Sequence, residues 1–203
     1  MLGNELISKQ IANYLAQKII KGELNTESRL AESRLAKEYQ VSRGSVREAL
    51  LILESWHLVT IYPNRGAVVR GLNLDKQKDF LELWFTLLNQ AIIDIKQHML
   101  PDTEHSLNQH IKLLEQLQTN STVDQYYEQC QNILTELYAM ISNSCLHDML
   151  NLLLPVSYQH LYGVLTRTQN SKANIFKCLS NIYQTLSLKE TISITANQTL
   201  LFI

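Results

Sequence analysis

Apolar residues near the start of the chain recur at helical spacing and then give way to alternation. Ile7, Ile11, Tyr14, Leu15, Ile19 and Ile20 share one face of a helix expected over about residues 5–21, with Gly22 as its stop. Residues 22–30 read as a connector. A second helix is expected from Glu32 or Ser33 through Gln40. A third, over about residues 43–56, turns Val46, Leu50 and Leu53 inward and gathers Ser42, Arg43, Gly44 and Arg47 outward around its first turn. Two β-prone runs follow, Leu58-Val59-Thr60-Ile61-Tyr62 and Ala67-Val68-Val69-Arg70. The Pro63-Asn64-Arg65-Gly66 turn between them carries a positive charge. Helix, tight turn, helix and a two-stranded wing make a winged helix-turn-helix.

Beyond a linker at Gly71-Leu72-Asn73-Leu74-Asp75, with Asp75 as a helix N-cap, the pattern becomes helical throughout. Apolar positions recur at three and four, and Gly163 is the one glycine after Gly71. Helices are expected over about 75–99, 102–118, 123–142, 146–166, 172–186 and 188–201. Their breaks fall at Pro101, at Thr119-Asn120-Ser121-Thr122, at Asn143-Ser144 and at Arg167-Thr168-Gln169-Asn170. Pro155 is expected to kink or interrupt its helix. The predicted division is a winged-helix domain over 1–71 and a helical domain over 72–203.

The net charge of −1 hides an asymmetry. Residues 1–70 hold ten Lys and Arg against seven Asp and Glu, and the rest of the chain holds eight against twelve. The first segment is the one suited to a polyanion, through a few placed arginines rather than a dense basic field. Three widely spaced cysteines, Cys130, Cys145 and Cys178, form no CxxC and suit free thiols in a reducing cytoplasm. The polar start and the lack of a bilayer-spanning apolar run imply a soluble, cytoplasmic protein with no membrane partner.

The chemistry concentrates at residues 41–50. A hydroxyl at the helix cap, small neighbours and two arginines one turn apart make a cationic helix tip able to enter a major groove. There a guanidinium can donate two parallel bonds to guanine O6 and N7. Arg43 and Arg47 are assigned to base edges or adjacent phosphates. Ser42, Ser45 and Arg65 are assigned to positioning contacts, and Gly66 to close approach of the wing backbone to the sugar-phosphate chain. Glu48 is read as a structural partner for an arginine, and His57 as a solvated helix-end residue.

These residues resemble the GntR-type transcription factors. The Val-Ser-Arg-x-x-Val-Arg-Glu-Ala-Leu string stands at 41–50. Leu30-Ala31-Glu32-x-x-Leu35-Ala36 precedes it at the family's spacing, and Leu58-Val59 and Asn64-Arg65-Gly66 follow. The resemblance covers residues 5–70. It implies a homodimer on a double-stranded DNA operator, usually as a repressor. It also implies a phosphate contact from an arginine at position 33. This chain has Ser33 there, with Arg34 beside it, and a shift of one residue rotates a helical side chain by about 100 degrees. Ser33 and Arg34 are both kept as contact candidates. The family's Pro-Gly near Thr26-Glu27 is absent, so a less rigid loop is expected.

The helical region resembles the effector domain of the family's FadR-like branch, an FCD-type antiparallel bundle that binds a small organic acid or acyl thioester and dimerises. Ile141-Ser142-Asn143-Ser144-Cys145-Leu146 resembles a helix-ending segment of that branch. The fold class expected is thus mainly α, a winged helix-turn-helix followed by an antiparallel helical bundle. In that branch one Asp and three His often hold a metal. Aligned on Asn143, those positions fall at Cys130, Leu134, Leu179 and Leu201, and the leucines cannot ligate. No metal and no cofactor is expected. His98, His105, His110, His147 and His160 are read as surface residues, and Tyr126, Tyr127, Tyr138, Tyr158, Tyr162, Tyr183 and Trp84 as core. Arg167 is the candidate for an effector anion, with a helix-end cation as its plainer role. Few charges and many Leu, Tyr, Asn and Gln suit a neutral or apolar effector. No nucleophile motif, phosphate loop or paired metal ligands point to an enzyme.

Overall fold

A computed structural model of the chain describes residues 2–63, 65–70, 74–98, 101–167 and 170–187. Among these the order is α1 (Leu2–Ile20), β1 (Arg29–Leu30), α2 (Glu32–Glu38), α3 (Arg43–Ser55), β2 (Val59–Tyr62) and β3 (Gly66–Val69), then α4 (Leu74–His98), α5 (Pro101–Asn120), α6 (Val123–Ala139), α7 (Ser144–Arg167) and α8 (Ser171–Ser187). The residues form two compact units. One takes in the chain through Asn73 with Leu152–Gln159 of α7, and the other takes in Leu74–Asn151 and the chain from His160.

In the first unit α1 packs on α3. Ala12, Leu15 and Ile19 bury themselves with Val46, Ala49, Leu50 and Leu53, and each large side chain so buried contributes about 1.5–3 kcal/mol. Ser8, also buried, donates its hydroxyl proton to Glu48 Oε2 at 2.7 Å. Glu48 is structural, as expected, but its partner is a serine on α1 rather than an arginine. Tyr14 does not join this core. It is half exposed and meets Tyr39 edge-on, with Lys18 over its ring.

The wing has three strands rather than two, in the antiparallel order β1-β3-β2. Arg29 and Leu30, read as connector, pair with Val68 and Ala67. Glu27 N donates to Val69 O and Val69 N to Ser28 O, so the loop lacking Pro-Gly is tied to the sheet at its end. Glu54 Oε1 accepts from Ile61 N at 2.7 Å and links α3 to the wing.

In the second unit α5 packs against α6 and α8, and α4 against α8. Local chemistry sets the breaks. Pro101 opens α5, where its missing N–H costs nothing. Thr122 caps α6 in a reciprocal box with Gln125. Asn143 Oδ1 accepts from Leu146 N at the start of α7. Leu74 already belongs to α4, so Asp75 lies inside the first turn and not at the cap. Helix α7 runs through Pro155 unbroken, since one missing ladder bond is a local loss in a 24-residue helix. The expected helix over 188–201 and most of the expected linker lie outside the described residues.

The bundle core contains Trp84, Tyr126, Tyr127 and Tyr138, as expected of the aromatics. Trp84 Nε1 donates to Tyr138 Oη at 2.8 Å, joining α4 to α6. Tyr158, Tyr162 and Tyr183 are half-buried. Among the histidines, His98 and His105 are exposed, His110 and His147 half-buried, and His160 buried. The surface reading of His160 therefore fails; its place on α7 beside Leu161 turns it inward.

Candidate nucleic-acid interface

Helix α3 is built to present its first turn. Ser42 is the N-cap, and its Oγ accepts from Ser45 N at 3.0 Å. The inward stripe consists of Ser45, Val46, Ala49, Leu50 and Leu53. A helix anchored on that stripe leaves Arg43, Gly44 and Arg47 exposed.

These side chains face the wing across a groove of about 620 Å³. Arg29 and Ala31 line it from β1 and the residue after it, Glu32 and Ser33 from α2, and Arg43 and Arg47 from α3. Tyr62, Pro63, Arg65 and Gly66 complete the wall from the wing. Four arginines thus meet one carboxylate. Of the eight residues assigned to DNA from sequence, the groove gathers five: Ser33, Arg43, Arg47, Arg65 and Gly66.

Arg34, Ser42 and Ser45 stand outside its wall. Arg34 Nη2 donates to the Arg29 carbonyl at 3.2 Å. The Ser42 side chain is occupied with the cap. Ser45 is 1% exposed and its hydroxyl lies 2.9 Å from Ser42 Oγ, so burial withdraws it from the surface where a positioning contact was expected. It supports the cap instead.

Gly66 also has a different reason for being glycine. Its φ is +80°, and a Cβ there would come within 2.6 Å of the Leu30 carbonyl oxygen. The close approach that requires glycine is to β1.

Two groove residues escaped the sequence reading. Glu32 takes Arg47 in a two-bond grip, Nε to Oε1 at 3.0 Å and Nη2 to Oε2 at 2.9 Å. The Arg47 hydrogen bonds, with the charges of Arg47 and Arg43, hold the Glu32 carboxyl below its ordinary range despite some loss of solvent. Arg29 is the other, and its Nε donates to the Arg65 carbonyl at 2.8 Å. A two-residue strand is too short to leave a period in the sequence. The spacing of 15 residues between Glu32 and Arg47 likewise signals nothing before the fold is known.

Elsewhere, Arg167 is exposed in the last turn of α7, the place of a helix-end cation. Cys130, Leu134 and Leu179 are buried, and Leu201 lies outside the described residues. Among the described residues no three His, Cys, Asp or Glu side chains cluster as metal ligands. No described helix is long and apolar enough to cross a membrane. Burial pushes the Cys130 thiol up and the Cys178 thiol to about 12, while Cys145 is exposed.

Residues 7–69 match the model of bacterial regulatory proteins of the gntR family. The HTH-type transcriptional regulator BphR of Paraburkholderia xenovorans (strain LB400) is 42% identical over 74 residues, 36% of this chain and 30% of that protein. The gluconate operon transcriptional repressor of Bacillus subtilis (strain 168) is 30% identical over 111 residues, 55% of this chain and 44% of the repressor. The chain thus spans less than half the length of each of these two relatives. A crystal structure of a transcriptional regulator GntR from Rhodococcus sp. RHA1 superposes with a TM-score of 0.68 at 16% identity, covering 96% of this chain and 89% of that one. That likeness extends the shared fold through the helical region.

Proposed function

We propose, on the premise that residues 7–69 are a gntR-family domain, that this chain is a sequence-specific DNA-binding transcriptional regulator. It acts as a homodimer on a two-fold operator, usually as a repressor. The single observation that carries this reading is the groove in which Arg29, Arg43, Arg47 and Arg65 gather between the start of α3 and the wing. Such a concentration of guanidinium groups beside an exposed helix tip suits the charge of a phosphate-lined major groove. The functional division lies between a DNA-binding part through residue 71 and a helical part from residue 72.

Arg43 is the base-reading residue. It is exposed and lines the groove, its charge acting on Glu32 while the hydrogen bonds of that carboxylate go to Arg47. Arg47 reads a base edge or an adjacent phosphate from its pair with Glu32, and Arg65 and Ser33 position the duplex. The test selects duplexes from a randomised pool with the purified full chain and measures the winners by fluorescence anisotropy. Arg43→Ala is expected to weaken the selected duplex by roughly 5- to 150-fold, the range for one base-reading arginine, with a smaller effect on random duplex. Equal affinity of parent and variant for the selected duplex would remove Arg43 from the readout.

In the first reading, the helical part is an FCD-type sensor for a small organic acid or apolar effector. A ligand preferring one dimer arrangement changes operator affinity by its differential binding, typically about 1–3 kcal/mol. In the second, the chain is a ligand-independent dimer with a degenerate sensor. The observation favouring it is the burial of Leu134 and Leu179 where the resemblance puts metal-binding histidines. A thermal-shift screen with organic acids, acyl thioesters and divalent metals separates the two: a stabilising ligand supports the sensor, and uniform silence supports the degenerate dimer.

A further inference from the structure

We propose that Arg29 supplies a phosphate contact to bound DNA, an assignment that rests on the DNA-binding reading above. Arg29 is exposed on an edge strand, and the same strand is pinned by its neighbour. Leu30 is wholly buried and pairs with Ala67, so the backbone carrying Arg29 is fixed before any ligand arrives.

The guanidinium is held as well. Its Nε donates to the Arg65 carbonyl at 2.8 Å, against the wing turn. Of the five N–H donors of a guanidinium, one is used there, and the two terminal amino groups have no partner among the described residues. The carboxylate in this groove is already engaged by Arg47, so it leaves the Arg29 charge uncompensated at contact distance. The long side chain therefore loses less freedom on binding than a free arginine does.

Its location favours phosphate over base. Arg43 and Arg47 project from the helix that enters the major groove, whereas Arg29 lies on the β1 edge beside the wing. Contacts from such flanking elements fix register on the sugar-phosphate chain. Arg29 and Arg65 together form the wing-side half of the cationic wall.

Affinity for a labelled random-sequence duplex is measured against salt for the full chain, Arg29→Gln and Arg29→Lys, each first shown by circular dichroism to be folded. One phosphate contact is worth about 0.9 in the slope of log K against log salt, or about eightfold at 0.1 M. Arg29→Gln is expected to lose that slope, and Arg29→Lys, which keeps the charge, to retain it. An Arg29→Gln slope equal to the parent's overturns the proposal whatever the affinity, because a phosphate contact that is lost takes its released counterions with it. A slope lost in Arg29→Lys as well overturns it too. A parent that binds no duplex fails at the DNA-binding reading, and that failure is visible before any variant is compared.

Discussion

The Arg47 guanidinium presents two donors to Glu32 and receives both carboxylate oxygens in return, at 3.0 and 2.9 Å. The pair crosses from α3 to α2, so the arginine at the exposed start of α3 is held in one orientation. The Arg47 side chain remains 67% exposed, against 27% for Glu32. Glu32 thus steers Arg47 without hiding it, and also sets a negative charge in the groove among the four arginines. Glu32→Gln is expected to tighten binding to random duplex and to narrow the preference for a selected duplex. Anisotropy titrations on both duplexes check this; a preference as sharp as the parent's would show that Arg47 needs no such guide.

The same pair makes a pH prediction. The folded Glu32 carboxyl titrates below its ordinary value because of Arg47. Its stabilising contribution is therefore present in full above the ordinary carboxylate range and fades as pH falls through the lowered folded value. The stability gap between parent and Glu32→Gln is expected to be constant near neutrality and to close on acidification. Chemical denaturation at a series of pH values measures it. A gap that persists in strong acid would mean that the glutamate acts through packing.

Two backbone positions near the wing are set against each other. Gly66 has φ +80° and no space for a Cβ before the Leu30 carbonyl. Gly66→Ala is expected to destabilise the winged unit by about 1–3 kcal/mol, the scale of a strained non-glycine backbone. Glu27 has φ +70° with a side chain already present, where glycine is at ease. Glu27→Gly is expected to stabilise by about 0.5–1 kcal/mol, strain relief exceeding the added freedom of the unfolded chain. Denaturant midpoints on the two single variants test the opposite signs.

The thiols divide by burial. Cys130 and Cys178 are enclosed, and Cys178 titrates near 12, so neither offers a thiolate near neutral pH. Cys145 is exposed at the start of α7. A chromogenic disulfide reagent at mild alkaline pH is expected to label one thiol rapidly in the native protein and the other two only on adding denaturant. Rapid native labelling in Cys145→Ser would place a second thiol within reach of solvent.

Which of these features the sequence made legible follows from their range. The inward stripe of α3, the cap at Ser42 and the outward arginines depend on neighbours within two turns, and periodicity reports such neighbours directly. The breaks at Pro101, Thr122 and Asn143 are equally local, each fixed by one side chain or one missing N–H. The wing's third strand was not legible, because its two residues gain their identity only by pairing with Val68 and Ala67. For the same reason Arg29 read as loop and the Glu32–Arg47 pair stayed hidden. Ser45 shows a different limit: a hydroxyl in the first helical turn reads as polar surface, and only the packing of α1 on α3 shows which side it takes.

The tie between the first and third helices of the bundle is testable through one atom. Trp84 and Tyr138 are both buried, and the indole N–H of one donates to the phenol oxygen of the other at 2.8 Å. Tyr138→Phe keeps the ring and removes that acceptor, leaving the indole N–H without it in an apolar setting. The expected loss is about 1–3 kcal/mol, the cost of an unsatisfied buried donor. Trp84→Phe also loses packing volume, so its own penalty is larger. Combined, the two changes are expected to cost less than their separate losses added together, since the second variant removes the donor that the first had orphaned. Denaturant melts of the parent, both single variants and the double variant close the cycle. Strict additivity would mean that the bond contributes nothing to holding α4 against α6.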